Sequence, residues 1–321
     1  MVQLPLADGG EGTLDALVAA RGGELRRARV TGPDGRPVDA EWGLLPDGTA
    51  VVEMARASGL QLVDGRNDPL TATSRGTGEL IAVATAAGAA SVLLGVGGSA
   101  TVDGGSGVIE ALEWGLPLPV VVACDVQTTF MAAAEVFGPQ KGAARADVEV
   151  LTRRLEECAH AYRTRTGVDV RELAGSGAAG GVAGALAALG ATLRSGFDVV
   201  AEACDLDRHI RESAFVLTGE GRLDRTSLDG KVVGGVVRAV DARGVGEVAV
   251  VAGSVAPGIE DLLPSDTRWL ELCSLAASPE DSLARAYELA RLAAERLALA
   301  AHSAPSRKSA RTGSSASTSG A

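Results

Sequence analysis

The chain has 321 residues, 46% of them hydrophobic but only 3% aromatic, and a net charge of −11. That length suits one large α/β unit or two domains, with a core filled mainly by Ala, Val and Leu. The acidic balance argues against nucleic acid and anionic membranes as partners, and Cys124, Cys158, Cys204 and Cys273, with no C-x-x-C among them, read as reduced thiols of a cytoplasmic protein.

In chain order, residues 2–6 read as the end of a strand, followed by Asp8-Gly9-Gly10-Glu11-Gly12-Thr13 and a helix over 14–20. In this polar turn Asp8 and Glu11 are candidate metal ligands; a helix cap at Asp8 or Thr13 accounts for the same residues. Runs at 25–30, 38–44 and 50–53 are separated by Gly32-Pro33-Asp34-Gly35 and Pro46-Asp47-Gly48, which predicts an antiparallel meander. A polar loop from Asn67 feeds a helix over 79–87. Residues 80–102 carry no charge, but their glycines break them into helix, turn and strand, so no membrane span is expected. The first residues lack the basic start and apolar core of a signal peptide.

The richest stretch comes next. Residues 91–96 form an apolar run typical of a buried parallel strand, and 108–112 read as helix. Between them lie Gly97, Gly98, Ser99, Ala100, Thr101, Val102, Asp103, Gly104 and Gly105. A strand, a glycine loop and a helix start bring amides and a helix dipole to one point, which makes an anion site. Asp103 would repel a bare phosphate, so its presence implies a divalent cation and a metal-nucleotide. No Gly-Lys-Ser or Gly-Lys-Thr follows, which excludes a P-loop. Gly95-Val96-Gly97-Gly98-Ser99-Ala100 fits the G-x-G-x-x-A dinucleotide pattern, but Asp103-Gly104-Gly105 would break the helix which that pattern needs. Tight turn packing is the remaining reading.

A strand over 119–124 ends at Asp125, and Phe137-Gly138-Pro139-Gln140-Lys141-Gly142 follows. Residues 147–164 make an amphipathic helix with Leu151, Leu155, Cys158 and Tyr162 on one face. His160 and His209 lie in helical stretches without ligand partners and read as structural. A strand over 214–217 runs into Thr218-Gly219-Glu220-Gly221-Arg222-Leu223-Asp224, then Thr226-Ser227-Leu228-Asp229-Gly230-Lys231 and a helix to about 240. Strands at 248–252 and 269–275, a helix over 279–300 and a disordered tail over 303–321 complete the chain.

Loops at Asp8, Gly97, Asp125, Thr218 and Gly253 each follow the carboxyl end of a predicted strand, where open α/β sheets bind ligands. Of 30 basic residues only Lys141, Lys231 and Lys308 are Lys, and the first two sit in glycine-flanked motifs. A compact ammonium suits a phosphate oxygen better than a planar guanidinium does. Carboxylates, hydroxyls, amides and lysines gathered at one cleft are what phosphoryl transfer requires.

Together, Asp8-Gly9-Gly10-Glu11-Gly12-Thr13, Gly97-Gly98-Ser99-Ala100-Thr101, Asp103-Gly104-Gly105, Cys124-Asp125-Val126, Phe137 to Gly142 and Thr218 to Lys231 resemble class I glycerate kinases, in order and over most of the chain. The resemblance implies phosphorylation of D-glycerate, typically to 2-phosphoglycerate, with ATP and Mg²⁺. It also implies two unlike α/β domains: a flavodoxin-like one with a parallel sheet, from 1–22 and 212–302, and an inserted one with a mixed sheet over 23–211. Asp8, Glu11, Asp103, Lys231, Glu220 and Asp224 are then candidate catalytic groups, with Asp8, Asp103 and Glu220 as metal ligands. Gly97, Gly98, Ser99, Thr101, Gly104 and Lys141 would hold the nucleotide, and Arg222 and Asp125 the substrate. An inactive ligand-binding relative and an NAD-dependent oxidoreductase are the alternatives.

The sequence departs from the family pattern in places. Val102 replaces an Asn, Gln127-Thr128-Thr129-Phe130 replaces Asp-Asn-Pro-Leu, the segment from 114 to 124 is short, and an upstream strand ending in Asp-Ser-Phe-Lys-Gly is missing. A strand edge without that neighbour invites aggregation. The expectation is therefore a poorly soluble chain with little or no glycerate kinase activity as written, and in-frame DNA upstream of Met1 encoding a similar motif. Sequencing that DNA checks the point: a stop codon just before Met1 with no such motif upstream defeats it.

Overall fold

In the computed structural model residues 1–303 are described, apart from Asp229 and Val245; the predicted tail from 304 on lies outside the described residues. The chain divides into two compact units, Met1–His209 with Thr226–Gly235, and Ile210–Arg225 with the chain from Val236 onward.

The larger unit runs α1 (Thr13–Arg21), β1 (Glu24–Thr31), β2 (Pro37–Leu44), β3 (Thr49–Glu53), α2 (Ala55–Ser58), α3 (Arg75–Ala86), β4 (Ser91–Gly95), α4 (Ser106–Ala111), β5 (Val120–Ala123), α5 (Ala133–Phe137), α6 (Arg145–Thr166), α7 (Val182–Ala188), β6 (Thr192–Arg194) and α8 (Gly196–Ala203). Its six strands lie in sequence order, antiparallel from β1 to β3 and parallel from β3 to β6. The turn-rich meander thus leads directly into the parallel half, and the mixed sheet expected from the sequence is present.

Period-two alternation sends successive strand residues to opposite faces. Val51 and Leu93 pack with Leu14, Leu17, Val199 and Val200, the faces of α1 and α8. Val52, Leu94 and Val122 pack with Leu80, Ile81, Val182 and Leu186 on the other side. Beneath α6 a further cluster joins Leu151, Leu155 and Tyr162 to Phe130 and Ile109.

Residues 1–22 pack with this larger unit rather than with 212–302, because Ala7, Leu14 and Leu17 belong to the α1–α8 cluster. Residues 2–6 form no strand; Leu4 and Leu6 pack on that cluster as irregular chain. The first turn of α1 has no side-chain cap of its own, since its N-cap is Gly12 at φ 91°. The buried carboxylate of Glu53, at the end of β3, supplies what is missing: Oε1 accepts from Leu14 N at 2.8 Å, and Oε2 from Arg56 Nε at 3.1 Å. A strand end therefore fixes the helix that follows the Asp8–Gly12 turn.

From there α9 (Leu206–Arg211) leads to β7 (Phe215–Leu223), α10 (Arg225–Leu228), α11 (Val232–Arg243), β8 (Glu247–Val255), β9 (Arg268–Glu271), α12 (Pro279–Ala284) and α13 (Ala286–Ser303). In the smaller unit β7, β8 and β9 form a parallel sheet in that order. Leu289 and Ala293 of α13 pack beside Val251, Leu270 and Leu272.

Two expectations are corrected in this unit. The Thr218–Leu223 motif is strand, paired with Val250–Val255, not a loop after a strand. Its glycines alternate with Thr218, Glu220 and Arg222, and Gly219 leaves room for the carbonyl of Val251, which a Cβ would overlap. The predicted helix over 279–300 is two helices, the first capped by Ser278 Oγ accepting from Asp281 N. Among the described residues no helix is long and apolar enough to cross a membrane, and all four cysteines are free thiols.

Candidate active site

The parallel strands of the larger unit end in step, with Glu53, Gly95, Ala123 and Arg194 in register. Their continuations, Gly97 to Thr101, Asp125 and Ser195-Gly196, therefore emerge along one edge, the carboxyl edge where such sheets bind ligands. The Asp8–Gly12 turn lies across this edge. A Cβ at Gly95 would stand 2.6 Å from Gly9 O, and one at Gly97 would stand 2.6 Å from Gly10 Cα. At Gly196 a Cβ would overlap the carbonyl of Asp8. Glycine is needed here because two backbones touch.

Asp125 is half-buried at the end of β5. Its Oδ1 accepts from Ser195 Oγ at 3.0 Å and from Gly196 N at 2.8 Å, at the start of α8. Its Oδ2 is buried and has no donor. Burial raises the carboxyl pKa, and the charge of Asp8 raises it further, against the hydrogen bonds that lower it. Asp8 itself accepts from Gly10 N at 3.2 Å. Glu11 is exposed, and its Oε1 lies against Gly98, 2.5 Å from where a Cβ would stand. Gly230, at φ 83°, rests on the Asp125 side chain and is followed by the exposed Lys231, whose Nζ donates to Thr226 Oγ1 at 3.3 Å. Asp8, Glu11, Gly97 to Thr101, Asp125 and Lys231 are thus all placed by one edge of one unit.

Asp103 has a different place. It is buried, and its carboxylate accepts from Ser74 N and Ser74 Oγ, each at 2.8 Å, from Gly105 N at 2.9 Å and from Gly107 N at 3.3 Å. Ser74 precedes α3 and Gly105 precedes α4, so one carboxylate serves two helix N-termini. Gly104 is also turned inward: its N donates to Gly180 O at 3.0 Å, and its O accepts from Tyr162 Oη at 2.7 Å. The Asp103 carboxylate and both backbone groups of Gly104 are thus engaged within the protein.

Lys141 is 3% exposed. Its ammonium donates to Ser99 Oγ and to Thr101 O, both at 2.7 Å, and stands over the Phe137 ring. Burial pushes its pKa down to about 7, against the opposing pull of Asp103. Thr101 Oγ1 is buried without a donor or acceptor. Glu220 and Arg222 share a face of β7 in the smaller unit, where Arg222, 72% exposed, pairs with Asp224 at 3.4 Å.

Sequence reasoning missed Glu53, Asn67, Ser74 and Ser195. Each acts on a partner far along the chain, and the available signals were slight: a carboxylate ending an apolar strand, and a hydroxyl before each of two helices.

Among the described residues no three His, Cys, Asp or Glu side chains converge as a self-sufficient metal site. Mg²⁺ binds through one or two carboxylates, waters and substrate phosphates rather than an all-protein cage. The orphaned Asp125 Oδ2, with Asp8 near it, fits such a role; the saturated Asp103 does not.

A model of the glycerate kinase family matches residues 1–117 and 116–302. Glycerate 2-kinase of Escherichia coli (strain K12) is 44% identical over 272 residues, covering 73% of this chain and 71% of that protein. Glycerate kinase of Bacillus subtilis (strain 168) is 41% identical over 291 residues, covering 79% and 76%. A solved structure described as a provisional glycerate kinase 2 from Salmonella typhimurium LT2 superposes with a TM-score of 0.76 at 36% identity, covering 93% of this chain and 88% of that one.

Two outcomes follow from the buried groups. Asp103→Ala strands the donors before two helices and should lower the unfolding free energy by about 3 kcal/mol or more. The loss should be the same with and without Mg²⁺ in urea titrations; a pure metal ligand would leave the metal-free protein no less stable. Lys141 in the folded chain, near 7, lies below its ordinary 10.5. The unfolded chain therefore holds more protons between those values, and the penalty of the buried ammonium, full below about 7, is relieved as pH rises. The stability of the native chain relative to Lys141→Met should accordingly increase from pH 7 towards pH 10. A flat difference in urea unfolding across that range contradicts this.

Proposed function

Since this chain belongs to the glycerate kinase family, and is thus a kinase with a hydroxyl acceptor, we propose that it transfers the γ-phosphoryl group of ATP to a hydroxyl of D-glycerate, giving 2-phosphoglycerate, in the cytoplasm and with Mg²⁺. The observation that carries the site assignment is Asp125: one oxygen is fixed by Ser195 and Gly196, and the other is buried and unpartnered at the strand edge.

Four parts of the larger unit divide the work. Gly98 and Ser99 offer amides that, among the described residues, have no acceptor, and these suit phosphate oxygens. Lys231, exposed beside the Gly230 turn, brings a compact cation to the transferred group. Asp125 and Asp8 would hold Mg²⁺ together with the phosphates, and when bound the ion neutralises charge on the transferring group. Asp125, fixed at one oxygen and unpartnered at the other, also orients a substrate hydroxyl. Lys141 and Asp103 are assigned to holding the loop rather than to touching ATP. Arg222, in the smaller unit, carries the guanidinium fork that suits a carboxylate and there pairs with Asp224, near Glu220 on the same strand.

ADP release coupled to a reporter, with D-glycerate and Mg²⁺ against blanks lacking each, tests the activity. Glycerate-dependent release above blank, even slow, is the expected result. Nucleotide binding without release marks an inactive relative, and nicotinamide binding in place of ATP marks an oxidoreductase. Lys231→Ala should lower kcat by about tenfold or more with the melting temperature nearly unchanged, because a contact made in the transition state is lost without a packing penalty. Activity within about twofold of the native chain removes Lys231 from the site.

A further inference from the structure

Asn67 is half-buried, outside every glycine motif, yet its side-chain amide donates twice: to Ala100 O at 2.9 Å and to Lys141 O at 2.8 Å. Both partners are carbonyl oxygens, so only the NH₂ end of the amide fits there, and both of its hydrogens are used.

Around the loop the pattern is consistent. Gly98 O accepts from Leu60 N at 2.9 Å, Ala100 O from Asn67, and Thr101 O from Lys141 Nζ. Ala100 N donates to Ser58 O at 2.9 Å. Three carbonyl oxygens are thus drawn onto donors of the protein, while the amides of Gly98 and Ser99 have no acceptor among the described residues. An anion needs that polarity, with hydrogens presented and oxygens withdrawn. Asn67 sits at the junction, because its two bonds tie the loop to the turn that carries Lys141.

We infer that Asn67 is a positioning residue for the nucleotide phosphates, acting through the Ala100 peptide and the Lys141 turn. The inference rests on the ATP reading of this edge. Without the Asn67 donors the Ala100 peptide is free to turn its oxygen outward, where it would repel a phosphate. Substrate groups held elsewhere on the edge would be unaffected.

Asn67→Asp keeps the shape and removes both donors, so it is the variant of choice; Asn67→Ser, which is too short to reach both carbonyls, replaces it if the first does not fold. Two measurements decide. In the ligand-free protein, amide hydrogen exchange at Ala100 and Leu60 should quicken by about tenfold or more, with the strands of the larger unit unchanged. In the coupled assay the KM for ATP should rise by about tenfold while the KM for D-glycerate stays within about twofold.

Unchanged exchange at Ala100 and Leu60 overturns the inference, whatever the chain does with glycerate. Faster exchange with an unchanged KM for ATP overturns the link to nucleotide. A variant that merely lowers the melting temperature, with both KM values unmoved, shows a structural role and overturns it too. If the native chain releases no ADP with glycerate, the kinase reading fails separately, and exchange in the variant still decides whether Asn67 holds the loop.

Discussion

The larger unit depends on one buried charge. Asp103 sits between β4 and α4 and collects donors from the starts of α3 and α4, and Ser74 Oγ, which donates to it, also accepts from Val108 N at 3.1 Å. Isolated in a protein interior, a carboxylate would cost several kcal/mol. Four hydrogen bonds and two helix N-termini offset that cost. The return is geometrical: α3 and α4 are locked to the chain that leaves β4, so the loop from Gly97 to Thr101 starts and ends at fixed points.

Lys141 belongs to the same arrangement. A buried ammonium would be as unwelcome as a buried carboxylate, and its depressed pKa records the desolvation. It is held by the loop's own Ser99 hydroxyl and Thr101 carbonyl, with the Asp103 charge in the background. With Asn67 it holds two of the loop's oxygens, those of Ala100 and Thr101. The acid and the base that look most like ligand groups in the sequence are thus both engaged by the protein's own groups.

This explains which parts were legible. Turn chemistry at Gly32-Pro33-Asp34-Gly35 and the apolar run at 91–96 report on local backbone, so the meander and parallel strands could be read directly. The glycine loop and the Asp8 turn were also found, because close backbone approach demands glycine and leaves a trace in sequence. Roles were harder to read. Whether an aspartate binds a ligand depends on whether its oxygens are already occupied, and Ser74 stands 29 positions from Asp103. The Thr218–Leu223 motif misled for a related reason: a glycine that admits a neighbouring strand, as Gly219 does, looks the same as a glycine that makes a turn.

Asp103 and Asp125 complete the comparison. Both are acidic and both follow parallel strands, and in sequence Asp103 reads as a catalytic and metal-binding group and Asp125 as a substrate-binding one. In the fold every acceptor of Asp103 is met by a donor, and its place is fixed by helices on two sides. Asp125 has one oxygen held by Ser195 and Gly196, while the other is withdrawn from water with nothing to accept from. A buried acceptor without a donor costs about 1–3 kcal/mol. The chain retains it at the strand edge where the Asp8 turn, two unengaged amides and Lys231 are placed. A cost carried at that position agrees with the role proposed for Asp125 in holding a ligand.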